Sequence, residues 1–171
     1  PTFKDIYRFK PKNKVFLDKS SKELCGKFRK GHFEGVLNVV NRFIEIIKPR
    51  YIFLGKKDYQ QLYLIKKHIK KRKIKSKIIE CNTIREINGV ACSSRNSKLN
   101  KDQMKVASNI YYYLCNIKKK IKKDYSLFNI NKIKKDLIKL GANQIDYLEN
   151  YNTKSFKKIK KPNQEYNLFF A

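Results

Sequence analysis

The sequence predicts an α/β chain, half of a doubly wound parallel sheet followed by a smaller α+β unit. An apolar run, Tyr51-Ile52-Phe53-Leu54, and a second strand-like segment, Lys77-Ile78-Ile79-Glu80-Cys81, each follow a stretch whose apolar residues recur at helical spacing. The first run ends on Gly55 and a polar turn, Lys56-Lys57-Asp58, before the next helix. Strand, glycine turn and helix in that order are expected of a parallel unit with right-handed crossovers. Past Asn96 the alternation stops, and two helical patterns lead into two strand-like runs. The expected boundary lies close to Ser94, giving domains 1–93 and 94–171.

Residues 1–30 read as irregular, with Val15-Phe16-Leu17 a short strand and Ser20 to Phe28 a short helix. Phe33, Val36, Leu37, Val40, Ile44 and Ile47 then repeat at helical spacing until Pro49 stops the helix, and His32 at its start reads as a structural cap. The strand Tyr51 to Leu54 has no polar alternation and is expected to be buried in the sheet. Asp58 is a plausible N-cap for the helix that follows, whose buried stripe is Leu62, Ile65 and Ile69. The strand Lys77 to Cys81 closes this first unit.

In the second unit, Asn100 with Gln103 three residues on matches a capping box, and the helix it opens has Met104, Ala107, Ile110, Leu114, Ile117 and Ile121 on its core face. Ile130, Ile133, Leu137 and Leu140 mark another helix, ended by Gly141. Ile145 to Leu148 and Tyr166 to Phe170 read as strands, with Lys154 to Lys161 a solvated loop between them. There is no internal repeat.

Composition bounds the function classes. At 171 residues with 41% hydrophobic residues the chain can bury a core. No apolar run approaches the roughly 20 residues of a membrane span, and no secretory h-region or presequence is expected from Pro1-Thr2-Phe3-Lys4. A cytoplasmic protein is the simplest expectation. Cys25, Cys81, Cys92 and Cys115 are widely spaced without a CxxC pair, which argues against a zinc or redox site and for reduced thiols. Cys81 ends a strand and Cys115 sits on a helix's apolar side, where free cysteine acts as a small hydrophobe.

The net charge of +28 invites a nucleic-acid reading. Lysine excess comes here with excess isoleucine, asparagine, tyrosine and phenylalanine, all with A/T-rich codons, so a biased genome would produce this charge whatever the function, and that reading is preferred to a polyanion-binding role. The runs Lys66 to Lys73 and Lys118 to Lys123 are therefore expected to be solvated helix faces. Tyr111, Tyr112 and Tyr113 could serve as stacking platforms, but three consecutive positions on a helix point several ways and suit packing better.

Candidate chemistry lies at the strand ends. Ligands of open α/β sheets collect at the carboxyl ends of strands, where a helix N-terminus offers unpaired N–H groups to phosphate. Gly55-Lys56-Lys57-Asp58-Tyr59-Gln60-Gln61-Leu62 occupies such a place. Cys92-Ser93-Ser94-Arg95-Asn96 lies one strand further on, so two phosphate-friendly loops are expected to face one cleft.

Together with Gly31-His32-Phe33-Glu34-Gly35-Val36 and Arg85-Glu86, these ordered blocks resemble the pantothenate synthetase family, the ATP-dependent pantoate and β-alanine ligases. The resemblance implies a partial Rossmann-like nucleotidyltransferase sheet of the HIGH superfamily, followed by a C-terminal lid. It implies condensation of pantoate with β-alanine through pantoyl adenylate, with release of AMP, in the route to coenzyme A. ATP is then a substrate accompanied by Mg2+, and the full-length enzyme a homodimer. By the same resemblance Gly55, Lys56, Lys57, Asp58, Ile84, Cys92, Ser93, Ser94 and Arg95 surround ATP, and Gln61 takes the pantoate. Lys57, Ser93 and Arg95 carry the chemistry. Gly55 lets the backbone approach the nucleotide, Asp58 holds the ribose, Ile84 flanks the adenine, and Cys92 packs. At Lys56 the family usually has glutamate.

The family's upstream HxGH half has no counterpart in this sequence, whose only histidines are His32 and His68. The chain thus resembles the back portion of the enzyme, with the missing half expected from another segment or chain. An inactive remnant, a lysine-rich non-specific nucleic-acid-binding module, and an adenylate-forming enzyme for a different acid are the alternatives.

Overall fold

Thr83 and Ile84 mark a division between two units, Pro1–Thr83 and Ile84–Ala171, in the computed structural model, which describes residues 2–8, 14–159 and 165–171. Cys92 to Arg95 therefore fall in the second unit.

The first unit opens with α1 (Phe3–Ile6), a single turn capped by Thr2 and Asp5 in a reciprocal capping box. Val15 to Leu17 do not form a strand. This segment is held by a side chain instead, since the Phe16 N–H donates to His68 Nδ1 at 3.0 Å. The single helix expected over Ser20 to Phe28 is two pieces, a 3₁₀ turn at Lys19–Lys22 and α2 (Cys25–Phe28). Leu24, buried with φ 44°, separates them.

The amphipathic stretch folds as α3 (His32–Ile47) and stops at Lys48, just before Pro49. Its cap differs from the expectation, because Gly31 takes the N-cap position at φ 73° and His32 is the first helical residue. β1 (Tyr51–Gly55), α4 (Tyr59–Lys71) and β2 (Lys77–Cys81) follow, with β1 and β2 parallel and Ile52 opposite Ile78. Leu37 and Ile44 from α3 pack with Ile65 and Ile69 from α4, and Ile52, Leu54 and Ile78 supply the sheet side of this core. Each fully buried side chain of this kind contributes about 1.5–3 kcal/mol. β1 is covered on one face only among the described residues. Phe53 is 68% exposed and Tyr51 is also exposed, contrary to the buried strand that an unbroken apolar run predicts.

Polar side chains reinforce this core. Arg42 is wholly buried, donates through Nε to the carbonyl of Ile6, and pairs with Glu45 at 3.2 Å. His68, in the middle of the lysine run, is buried between Phe16 and Asn41, whose Oδ1 lies 3.1 Å from Nε2. Because Nδ1 accepts from the Phe16 amide, the proton sits on Nε2 and is donated to Asn41. Burial, and next the charge of Arg72, hold the His68 pKa below its ordinary value. The lysines around His68 are exposed, as expected of a solvated face.

The second unit begins with a turn closed by an antiparallel bridge between Arg85 and Ala91 and a 3₁₀ turn, Ser94–Lys98. α5 (Lys101–Lys123) starts at the expected capping box of Asn100 and Gln103. α6 (Ile130–Lys139) ends with Gly141 at φ 104°, whose N–H and that of Ala142 cap the carbonyls of Ile138 and Leu137. β3 (Leu148–Asn152) pairs antiparallel with β4 (Tyr166–Phe170), Asn150 opposite Leu168. The first strand of this pair lies later than the run Ile145 to Leu148 suggested. Its ladder takes in Glu149, Asn150 and Asn152, residues that apolar content alone does not mark as strand.

Ile133, Leu137 and Leu148 form the core here, against Ile110, Leu114 and Ile117 of α5 and Leu168 and Phe170 of β4. The segment expected as a solvated loop contains a core residue. Phe156, at φ 51°, is buried with its ring centroid 5.1 Å from that of Tyr151 and 5.8 Å from that of Phe169. Lys160 and Lys161 of that loop lie outside the described residues. Tyr111, Tyr112 and Tyr113 turn to different partners, Tyr113 donating to Asp136 at 2.7 Å. All four cysteines are free thiols. Among the described residues no helix is long and apolar enough to cross a membrane.

Candidate functional site

Gly55 ends β1 with φ −73°, an ordinary extended conformation, and a Cβ built there would meet nothing closer than the Lys57 amide at 4.0 Å. Neither backbone strain nor local crowding demands glycine at this position. The chain then makes one 3₁₀ turn, Lys56–Asp58, and enters α4. Asp58 stands at the N-cap position, yet its carboxylate makes no capping hydrogen bond, which corrects the capping role expected of it. It is exposed and has no side-chain partner among the described residues. Lys57 is likewise exposed. Lys56 is committed locally, its Nζ donating to Asn82 Oδ1 at 3.0 Å, just past the end of β2.

The two glutamines of the motif differ sharply. Gln60 is buried, and its amide is fully engaged: Oε1 accepts from the Cys25 N–H at 3.1 Å, and Nε2 donates to the carbonyls of Ser20 at 2.9 Å and Glu23 at 2.7 Å. It ties α4 to the 3₁₀ turn and to α2. Gln61 is half-buried, and its amide makes no hydrogen bond among the described residues. One glutamine is therefore structural and its neighbour is available to a ligand. The sequence marks the pair without separating its members.

In the second unit Ile84 is 75% exposed, so it is no core isoleucine. Cys92 is also exposed, which corrects the packing role expected of it. Ser93 Oγ accepts from the Arg95 N–H at 3.2 Å, capping the 3₁₀ turn, and the Asn96 N–H donates to the Ser93 carbonyl at 3.0 Å. The Ser94 hydroxyl has no hydrogen-bond partner among the described residues. Nor does the exposed Arg95 guanidinium have a hydrogen bond or ion pair there. The structure therefore collects Gly55, Lys56, Lys57 and Asp58 on the turn after β1 with Gln61 in the first turn of α4, and Ile84, Cys92, Ser93, Ser94 and Arg95 in one segment of the other unit.

A sequence profile of the family described as Pantoate-beta-alanine ligase matches residues 1–171. The chain belongs to the pantoate–β-alanine ligase family. Pantothenate synthetase from Flavobacterium psychrophilum is 35% identical over 178 residues, covering 100% of this chain and 62% of that protein. The pantoate–β-alanine ligase of Francisella tularensis, solved in complex with β,γ-ATP and β-alanine, matches with a TM-score of 0.71 at 32% identity, over 98% of this chain and 57% of that one. Pantothenate synthetase from Thermus thermophilus gives a TM-score of 0.84 at 21% identity, over 100% of this chain and 63% of that one. These likenesses establish the nucleotidyltransferase-like α/β fold of the ligase family. The chain spans 57% to 63% of the lengths of these three proteins.

Sequence reasoning missed the residues that hold the ligase motifs in place. Asn82 and Gln60 hold the first motif. Asn96 fixes the second, its Nδ2 donating to Glu86 Oε1 at 2.7 Å and to the Ala91 carbonyl at 3.1 Å. Asn96 was visible as the last residue of the polar cluster, but its partners lie in a turn with no periodic signal.

Proposed function

We propose that this chain forms the ATP- and pantoate-binding portion of a ligase that condenses pantoate with β-alanine to pantothenate and releases AMP. The observation carrying this reading is the division of labour within the family motifs. Asp58, Gln61 and Arg95 keep side chains without partners among the described residues, while beside them Lys56 bonds the Asn82 side chain and Gln60 and Asn96 bond backbone groups. Side chains held ready but unbonded suit a polar ligand that has yet to arrive.

In the first step a pantoate carboxylate oxygen attacks the α-phosphorus of ATP, the bond to pyrophosphate breaks, and pantoyl adenylate forms. In the second the β-alanine amine attacks the acyl carbon, the bond to AMP breaks, and the amine loses a proton. Gln61 donates to the pantoate carboxylate and accepts from a hydroxyl, as an amide can. The N-terminus of α4 and Lys57 oppose the negative charge developed on the phosphates. Asp58 accepts from the ribose hydroxyls, and Gly55 and Ile84 border the nucleotide. Ser93, Ser94 and Arg95 close on the β- and γ-phosphates, Arg95 with a planar, permanently charged fork. No three carboxylate, histidine or cysteine side chains gather to hold a metal among the described residues. A Mg2+ bound largely by phosphate oxygens and water asks for no such cage and fits this donor set. It would supply charge neutralisation of the leaving pyrophosphate.

A homodimeric ligase acting in the cytoplasm, completed by an HxGH-bearing half, is the natural setting. The test is pantoate-dependent exchange of labelled pyrophosphate into ATP, with the chain alone and mixed with the separately made N-terminal half of a related synthetase. Exchange in either supports the reading. Absence of exchange in both, from folded protein, overturns it in favour of an inactive remnant.

A further inference from the structure

Arg85 and Glu86 belong to the recognised motif blocks, yet the reaction above gives them nothing to do. Their surroundings supply a role. The turn Glu86 to Val90 is closed by the Gly89 N–H donating to the Glu86 carbonyl at 2.8 Å and the Glu86 N–H to the Val90 carbonyl at 2.9 Å. Gly89 sits at φ 82°, and a Cβ there would fall 2.2 Å from Cδ1 of Tyr111, so the ring lies flush against the glycine backbone. The Arg85 guanidinium stacks on the same ring at 4.1 Å from its centroid and donates through Nη1 to the Gly89 carbonyl at 2.9 Å. One ring thus backs both the turn and the arginine that spans it. From the same face of α5, Ser108 Oγ donates to the Asn88 carbonyl at 2.7 Å and Tyr112 reaches the Ile87 carbonyl at 3.5 Å. Positions 108, 111 and 112 have the spacing of a single helix face. On the far side of the turn, Glu86 holds Asn96, which in turn holds Ala91.

We infer that Arg85, Glu86 and Tyr111 are positioning residues that fix the Ser93–Arg95 loop for the phosphates of ATP, acting through Asn96 and the Ile84–Cys92 turn. This inference rests on the nucleotide-binding role proposed for that loop. The loop has no strand or long helix of its own to set its geometry, so its order must come from outside it. The Cys92 N–H donating to the Ile84 carbonyl at 3.0 Å carries the hold of the turn into the first residues of the loop.

The test uses the full chain, with amide hydrogen exchange at Ser94 and Arg95 and the dissociation constant for ATP as readouts. Tyr111→Phe keeps the ring and is expected to match the wild type in both. Tyr111→Leu fills the helix position without a π-face, and Arg85→Ala removes the stacked cation. Each is expected to speed exchange at Ser94 and Arg95 and weaken ATP by ~5-fold, the scale of an exposed cation–π contact plus a hydrogen bond. The double variant is expected to be no worse than the more severe single one, because both act through one stack. Unchanged exchange at Ser94 and Arg95 in Tyr111→Leu, or a Tyr111→Phe variant as impaired as Tyr111→Leu, overturns the inference. If the wild type binds no ATP, the nucleotide reading of the loop fails, while exchange at the two amides still decides whether the ring orders it.

Discussion

The two segments that carry the proposed ligand-facing side chains, one in each unit, are built by different means. The turn after β1 is continuous with a strand and a 13-residue helix, so its geometry follows from regular hydrogen bonding, with Gln60 and Lys56 adding side-chain bonds to residues distant in the chain. The Ser93–Arg95 loop has only a 3₁₀ turn and takes its shape from side chains: Asn96 on Glu86, Arg85 on Tyr111, Ser108 on Asn88. A binding residue on the first segment can therefore be changed without disturbing the scaffold. The second is held through a few contacts at a partly exposed surface and is the more easily loosened.

The sharpest tests of that contrast come from the ligand-facing side chains. Gln61→Ala and Arg95→Lys are each expected to lower pyrophosphate exchange ~100-fold or more, the scale of losing one preorganised donor to developing charge. The melting temperature of both variants is expected to stay at the wild-type value, since neither side chain makes a structural bond. A large loss of stability in Gln61→Ala would break the distinction drawn between the two glutamines.

Next in size is Gln60→Ala. It removes the side-chain acceptor of the Cys25 amide and one of the two donors to each of the Ser20 and Glu23 carbonyls, which keep the backbone N–H groups of Glu23 and Gly26, and is expected to cost about 2–3 kcal/mol in urea unfolding. Hydrogen exchange should place that loss around α2. An effect below about 0.5 kcal/mol would remove Gln60 from the scaffold.

Smaller and confined to the first unit is the effect of pH. His68 is buried neutral with its pKa below the ordinary 6.5, so the unfolded chain takes up a proton that the folded chain refuses. Stability is full above about pH 6.5 and falls as pH drops from there toward the folded pKa. The second unit contains no histidine. Amide exchange at pH 5.5 against pH 7.5 should therefore loosen Phe16 and its neighbours before the amides of α5 and α6. A uniform response would deny the local origin.

Least of all, Tyr113→Phe removes the hydrogen bond to Asp136 and is expected to cost about 1 kcal/mol. Burial and then that same bond push the Tyr113 pKa well above its ordinary value. Absorbance titration of the wild type against Tyr113→Phe should assign to Tyr113 an ionisation above the ordinary tyrosine range.

Much of this was legible in the sequence, and the reason is local. α3, α4, α5 and α6 follow from apolar spacing, and the start of α5 also from its capping box of Asn100 with Gln103. The parallel pair follows from two strand-like segments flanking a helix. The ordered motif blocks pointed to the ligase family, to which the full-length profile match assigns the chain. What failed shares a different cause. Val15 to Leu17 have strand-like composition but are held by a histidine 52 residues away. Phe156 lies among lysines in sequence and against Tyr151 and Phe169 in space.

By itself, then, the sequence determined where the periodic elements run and which residues sit at the strand end and in the polar cluster, because spacing, capping and turn chemistry act over a few residues. The tertiary structure alone decided that Gln60 is spent and Gln61 is not, that His68 is core, and that Tyr111 backs a turn more than twenty residues earlier. Each of those outcomes depends on a partner distant in the chain. Burial removes water as the alternative partner, so a distant carbonyl, amide or ring fixes what a side chain does, and nothing in its immediate neighbours reveals it.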